Sequence, residues 1–318
     1  MLKIILKIAI SVALIGWLSY GIDGTALAAG LSRASLKSLV TAFVVLFALS
    51  AIQAYRWVLV AHAMGVALRF PVAWSIVLIG LFFNQTLPSS IGGDAARVWR
   101  LRRAGVQVGL SIRTVVLDRL VALLALLVIV AAGLPALLDW IGDQPLRWAV
   151  PALLVLGFCG FFCLLMIDTP AVRRWLGRSS MKQVQLLGRG AHSVFLRPFC
   201  LLPALSLSVF IHAVVCASVL LIGIDIGLQA SFWQILVLFP PVLLLSMVPF
   251  SVAGWGVREG AMITALGLIG VPAATAFTVS ILYGVVMVVV GLAGGIVWLA
   301  TGKQQPVPDG SIGPLDSQ

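Results

Sequence analysis

Charge is scarce in this sequence. Only 10% of its 318 residues are Asp, Glu, Lys or Arg, while 61% are hydrophobic; an ordinary soluble domain carries about 25% charged residues. A water-soluble fold of this size could not hide so much apolar surface, because much of any globule faces outward. That excludes a cytosolic enzyme and a disordered chain. Cysteine is scarce too. The four present (Cys159, Cys163, Cys200 and Cys216) lie in or beside apolar stretches, form no CxxC pair and have no zinc-type spacing to histidine, which excludes a disulfide scaffold and a Cys/His metal centre. Also missing are a Ser/His/Asp set, HExxH, a Walker loop and a dinucleotide fingerprint. No enzymatic activity, cofactor or metal is therefore expected, and any active transport would draw on a gradient or a partner.

Acidic residues are the rarer charge, with 10 Asp+Glu against 21 Lys+Arg and a net charge of +11. In a soluble protein that excess would point to nucleic acid. In a lipid-embedded chain it is the bias of cytoplasmic loops that sets orientation, so no nucleic-acid partner is expected.

The apolar residues fall into runs. A helix needs about 20 of them to cross the hydrocarbon layer, and six stretches qualify: Ile4–Tyr20, Leu36–Ala61, Thr114–Leu138, Trp148–Ile167, Leu201–Gly223 and Ala273–Thr301. The first is read as a retained helix, with Trp17 and Tyr20 suited to an interfacial belt. Its alternative is a signal peptide cleaved near Ala26-Leu27-Ala28. Two further runs, Trp74–Leu87 and Phe232–Val248, are short and end at Pro88 and Pro249. Each leads into a Gly-rich charged stretch and a second short run, as in segments that enter the bilayer and turn back. These make two broken hairpins, about 74–103 and 232–268.

With the N-terminus in the cytoplasm and both hairpins returning to their own side, fifteen basic residues lie inside (Lys3, Lys7, Arg69, those of Arg97–Arg113 and Arg173–Arg197, and Lys303). Arg33, Lys37 and Arg147 lie outside. This bias favours one topology, with both termini cytoplasmic in the cell inner membrane. It also makes the first hairpin enter from inside and the second from outside. Set at their prolines, PSSIGGDAAR (Pro88–Arg97) and PFSVAGWGVR (Pro249–Arg258) match in Pro, Ser, Gly and Arg at a constant offset of 161 residues. Inverted repeats with broken helices near the midplane are a plan used by transporters. The fold expected is thus an all-α polytopic membrane protein: about six full transmembrane helices plus two oppositely oriented re-entrant hairpins, residues 1–301 forming a single integral membrane domain. Pro88, Gly92, Gly93, Pro249, Gly254 and Gly256 are the hairpin-breaking residues, since proline removes a donor and glycine permits unusual φ and close backbone approach.

Two motifs carry a resemblance: N-x-x-L-P-S-x-x-G-G-D-x-x-R at Asn84–Arg97 and P-x-S-x-A-G-W-G-x-R-E-G at Pro249–Gly260. Together with the multi-span layout from about Leu2 to Thr301, they resemble the membrane domain of lysylphosphatidylglycerol synthases and its stand-alone, flippase-like relatives. The resemblance implies a unit that moves lipid between leaflets. The transferase activity resides in a separate cytosolic domain of the full-length relatives. Here only the 17 residues 302–318 follow Thr301; they read as a disordered cytoplasmic tail, and a stand-alone unit is expected.

The candidate substrate-binding residues are Arg97, Arg258, Asp94, Glu259, Asn84, Gln85, Ser89, Ser90 and Ser251. A guanidinium is a forked, permanently charged partner for phosphate, and charge at membrane depth marks pathways. Arg97 could equally be one more inside charge, and Arg258 could pair with Glu259 or Asp94. Those two carboxylates could neutralise the arginines or take up protons. The amides and hydroxyls could bind a headgroup or mend the broken helices. Arg56 and Asp118 form a candidate cross-helix pair, with Arg119 beside them read as snorkelling or paired. His212 reads as a packing residue. The basic loop 168–200 reads as an amphipathic helix on the inner leaflet or a solvated loop, and Gly291-x-x-x-Gly295 as a close-packing face. The function expected is a lipid flippase or transporter acting on an anionic or modified phospholipid or lipid-linked molecule. Two alternatives stand beside it: a non-transporting accessory subunit partnered with an envelope-lipid or polysaccharide enzyme, and a membrane-embedded transferase using Asp94 or Glu259 as base.

Overall fold

The computed structural model describes residues 11, 13–87, 92–143, 145–169, 182–247 and 253–301. Among them the regular structure is all helical. In chain order the helices are α1 (13–20), α2 (Gly24–Arg33), α3 (Leu36–Ala63), α4 (Phe70–Thr86), α5 (Gly92–Arg103), α6 (Val108–Ile141), α7 (Ala149–Met166), α8 (Lys182–Phe195), α9 (Pro198–Asp225), α10 (Phe232–Ser246), α11 (Val257–Gly267) and α12 (Ala273–Thr301). A 3₁₀ turn at Pro145–Trp148 leads into α7. Five helices, α3, α6, α7, α9 and α12, are long and apolar enough to cross a membrane. The protein is a multi-pass membrane protein. The sixth expected span, Ile4–Tyr20, lies partly outside the described residues; its described end is helical, and Ala26-Leu27-Ala28 sits within α2.

Burial ranks the spans. The most apolar stretch of α12 is 61% buried and that of α7 only 6%. α12 is therefore the central post, while α7 shows nearly all its side chains to lipid and buries only Leu154. Small residues let α12 meet α4 closely. A side chain on Gly294 would strike the Leu78 backbone, one on Gly291 would meet Gln85 and Leu81, and one on Gly295 would meet the Phe82 ring. Phe82 then stacks on Trp298 and Phe83 meets the same ring edge-on. The close-packing role read from Gly291-x-x-x-Gly295 is thus realised, with Gly294 making the tightest approach.

The two short apolar helices α4 and α10 measure about 26 and 23 Å, less than the roughly 30 Å of a hydrocarbon core. Each is followed by a still shorter helix packed against it. The α4/α5 pair starts and finishes together, since Val66, Leu68, Leu101 and Val106 share one core cluster. The α10/α11 pair likewise begins and ends in one cluster, with Leu228, Ile235, Leu266 and Val271. Arg100 beside α4/α5 donates to Thr301 at the last residue of α12, 3.0 Å away. Near the start of α12, Thr278 packs against Gly30 of α2.

The 168–200 loop is in part a docked helix. Its described portion, α8, buries Ala191, Val194 and Phe195 against α3, α6 and α9, while Arg189 points outward and reaches Asp168 at 3.6 Å. The expected loop boundary therefore narrows. The amphipathic pattern is satisfied by this protein's own helices, because the apolar stripe of α8 fills the space beside Leu117 and Met64.

Candidate functional site

The charged centre is assembled from five helices. Asp118, about three turns into α6, is 1% exposed and sits between two arginines. Arg56 of α3 donates through Nε at 2.9 Å and Arg97 of α5 through Nη2 at 2.8 Å. Arg56 also donates from Nη1 to the Ser208 hydroxyl of α9 at 3.1 Å. Burying ions is costly unless each is paired and hydrogen-bonded, and here each of Asp118's oxygens takes one guanidinium. Arg97, 6% exposed, lies over the fully buried Trp57 ring, 4.1 Å from its centroid.

Local sequence explains why α5 can hold Arg97 there. Gly80 on α4 leaves room, since a Cβ would come 3.2 Å from both Arg97 Cγ and the Gly93 carbonyl. Gly93 has no room at all: a Cβ would run into the Gly80 carbonyl and the Asn84 amide. Its backbone N–H donates to Asn84 Oδ1 at 3.0 Å, capping the otherwise unpaired start of α5. Asp94, in the first turn of α5, approaches Arg97 at 3.7 Å and Arg119 of α6 at 2.9 Å. The row thus runs Arg56, Asp118, Arg97, Asp94, Arg119.

Two spaces adjoin this row. A groove of about 750 Å³ between α5 and α6 is lined by apolar residues such as Val98, Trp99, Ile112 and Leu123, with Asp94, Arg102 and Arg119 the charged lining residues among those described. Met247, just past α10, also reaches it. A much smaller polar chamber, about 50 Å³, is bounded by Gln53, Arg56, Asn84, Arg97, Asp118 and Arg119 along with Val77, Gly80 and Leu81. Arg119 lines both.

The α10/α11 pair holds a different centre. Arg258, 6% exposed, donates to Glu259 Oε1 at 2.6 Å and to the Ser280 hydroxyl of α12 at 3.1 Å. Ser280 donates in turn to Glu259 Oε1 at 2.9 Å, and Glu259 Oε2 accepts the Gly256 backbone N–H at 2.5 Å. The guanidinium lies over Trp255 at 4.7 Å, and space for it exists only because residue 284 is glycine. The approach to α11 turns through positive φ at Ala253, Gly254 and Gly256.

A profile described as lysylphosphatidylglycerol synthase TM region matches residues 4–295. The chain belongs to that family. Among curated proteins no match was found. The match to the lysylphosphatidylglycerol synthase transmembrane family takes in both short-helix pairs and both arginines and gives the protein a membrane lipid-related function.

Within this family member, the structure brings Arg97, Asp94 and Asn84 of the expected set together, and Arg258 with Glu259 at a separate centre. Gln85 packs toward Gly291 of α12. Pro88, Ser89, Ser90, Pro249 and Ser251 lie outside the described residues. The glycines divide their labour: Gly92 and Gly93 are helical, with close approach as their role, while Gly254 and Gly256 supply positive φ. The Arg56–Asp118 pair forms as expected, and His212 meets the Ala122 carbonyl at 3.2 Å, a packing role. Sequence reasoning missed Gln53, Trp57 and Ser208. Gln53 had a signal, since it stands one helical turn before Arg56 and Trp57 on α3 and a polar residue inside a span is costly.

Proposed function

We propose that the protein is a lipid translocator whose headgroup path runs along the α5–α6 groove and the arginine row beside it. The observation that carries this reading is a mostly apolar groove lined by Asp94, Arg102 and Arg119, in which Asp94 bonds to Arg119 and reaches the buried Arg97 of the Arg97–Asp118 pair at 3.7 Å. Acyl chains are suited to the apolar wall, and a headgroup carrying phosphate to the guanidinium groups. On this reading the α4/α5 and α10/α11 pairs are re-entrant hairpins of opposite sense, inverted copies that act as inner and outer gates, with the basic residues of α5 and α8 in the cytoplasm. Two features support it: the repeat at offset 161, and Met247 reaching into the groove from the second pair. Arg97 contacts the headgroup from the inner side, and Arg258, held by Glu259, serves the outer gate.

The test is lipid movement in liposomes holding the purified protein, read as accessibility of inner-leaflet fluorescent phospholipids to an impermeant quencher. Wild type is expected to move an anionic phospholipid, and the folded Arg97→Ala/Arg258→Ala variant to lose that movement. Unchanged movement in that variant would overturn the assignment.

A further inference from the structure

The small polar chamber is distinct from the groove, and its contents follow from charge and space. Around it stand three guanidinium groups, Arg56, Arg97 and Arg119, and one carboxylate, Asp118. Asp94 on the groove side pairs with Arg119 and Arg97. Counting both carboxylates, one positive charge is left uncompensated. An isolated buried charge is strongly disfavoured, so a single negative charge would complete the cluster. The lining also contains an unused donor: Arg97, with 7% of its side chain exposed, has a buried Nε–H with no hydrogen-bond partner among the described residues. Asn84 and Gln53 add amides to the wall. At about 50 Å³ the space holds roughly one or two waters at about 30 Å³ each, room for one small oxyanion group. Its boundary with the groove is the Arg119–Asp94 pair, and Arg119 retains 45% exposure while bonded to Asp94 at 2.9 Å.

We infer that this chamber is a binding site for a phosphate group bearing one negative charge, and that the Arg119–Asp94 pair is the gate through which it enters from the groove. A phosphodiester satisfies the charge balance; a dianionic phosphomonoester exceeds it by one. Two sources share that chemistry, a lipid headgroup and a free small phosphodiester. The lipid source rests on the translocator reading, while the site itself does not.

The experiment measures binding by calorimetry to the full chain in nanodiscs of zwitterionic lipid at pH 8. The probes are dimethyl phosphate, a monoanion, and methyl phosphate, whose second ionisation near pH 6 makes it a dianion there. Wild type is expected to bind dimethyl phosphate about ten-fold more tightly than methyl phosphate. Gln53→Leu, which leaves every charge in place, weakens dimethyl phosphate several-fold. Asp94→Asn, which adds one net positive charge, removes the preference for the monoanion. Arg189→Gln on α8 is the control and binds as wild type. Because Arg97→Gln alone orphans Asp118, the folded Arg97→Gln/Asp118→Asn variant is used and is expected to lose binding. No binding to wild type, a preference for methyl phosphate, or wild-type affinity in both the Gln53 and the Arg97/Asp118 variants would overturn the site. Displacement of dimethyl phosphate by an anionic phosphodiester lipid supplied in the nanodisc assigns the chamber to a headgroup; saturable binding without displacement assigns it to a free anion. Lipid movement without anion binding would remove this inference alone, and anion binding without lipid movement would remove only the translocator reading.

Discussion

Arg97 and Arg258 stand 161 residues apart at equivalent motif positions, each 6% exposed and each lying over a tryptophan. Their partners arrive differently. Arg258 takes its tryptophan from Trp255 and its carboxylate from the next residue, so its charge is neutralised almost within one turn of chain. Arg97 takes its tryptophan from α3 and its closest carboxylate from α6, and must share that carboxylate with Arg56. Asp94 occupies the position that Trp255 holds in the second copy, and its carboxylate turns chiefly to Arg119. A similar ten-residue motif thus makes a closed, neutral centre in one place and an open, cationic one in another. The open one borders both cavities that contain motif residues.

The comparison can be broken or sharpened in order of expected effect. Asp118→Ala leaves buried Arg56 with no carboxylate and buried Arg97 with only the more distant Asp94, and should cost about 3–5 kcal/mol, read as the shift in unfolding midpoint in detergent. A loss under about 1 kcal/mol would mean water already reaches the row. Paired removal separates the two centres next. Arg258→Leu/Glu259→Leu deletes both charges and is expected to stay within about 2 kcal/mol of wild type. Arg97→Leu/Asp118→Leu still strands Arg56 and should lose at least about 3 kcal/mol. Equal losses would show that the two centres are alike after all.

The glycines come third. Gly93→Ala forces α4 and α5 apart and should cost about 1–3 kcal/mol, whereas Gly254→Asn, at φ +80°, replaces glycine with a residue that tolerates that region and should cost less than about 1 kcal/mol. The reverse order of melting temperatures would undo the division of roles. The smallest effect lies far from both centres. Asp23 caps α2 by accepting from the Thr25 hydroxyl at 2.8 Å and its backbone N–H at 2.9 Å, and these bonds hold its carboxyl below the ordinary value. A lowered folded-state value means that the cap's contribution is complete above the ordinary carboxylate range and fades as pH falls through the lowered value. Amide exchange in the first turn of α2, corrected for intrinsic rates, should therefore quicken on acidification in wild type but not in Asp23→Asn.

Much of this architecture was legible beforehand. The five long spans announce themselves by unbroken apolar length, and the short helices α4 and α10 end within two residues of the expected boundaries, near the prolines that follow them. The Arg56–Asp118 pair was readable because charge inside a span demands a partner and few were on offer. What was not legible was the rest of the row. Asp94 was a candidate partner for either Arg97 or Arg258, and the structure gives it Arg97 together with Arg119, a partner the spacing did not point to. Arg119 read as snorkelling or paired, and nothing along the chain placed it on the border of both groove and chamber.

The reason lies in what each level of structure specifies. Apolar length, proline breaks and the repeated motif act along the chain, so sequence alone determined that this protein spans a membrane, where its helices stop and which two arginines are equivalent. Which charges meet depends on how far each helix is rotated and how closely it approaches its neighbours. Here Gly80, Gly93 and Gly294 set those distances across separate helices. Only the tertiary structure decided that one arginine would be sealed with its neighbour while the other joined a row of five charges beside an open groove.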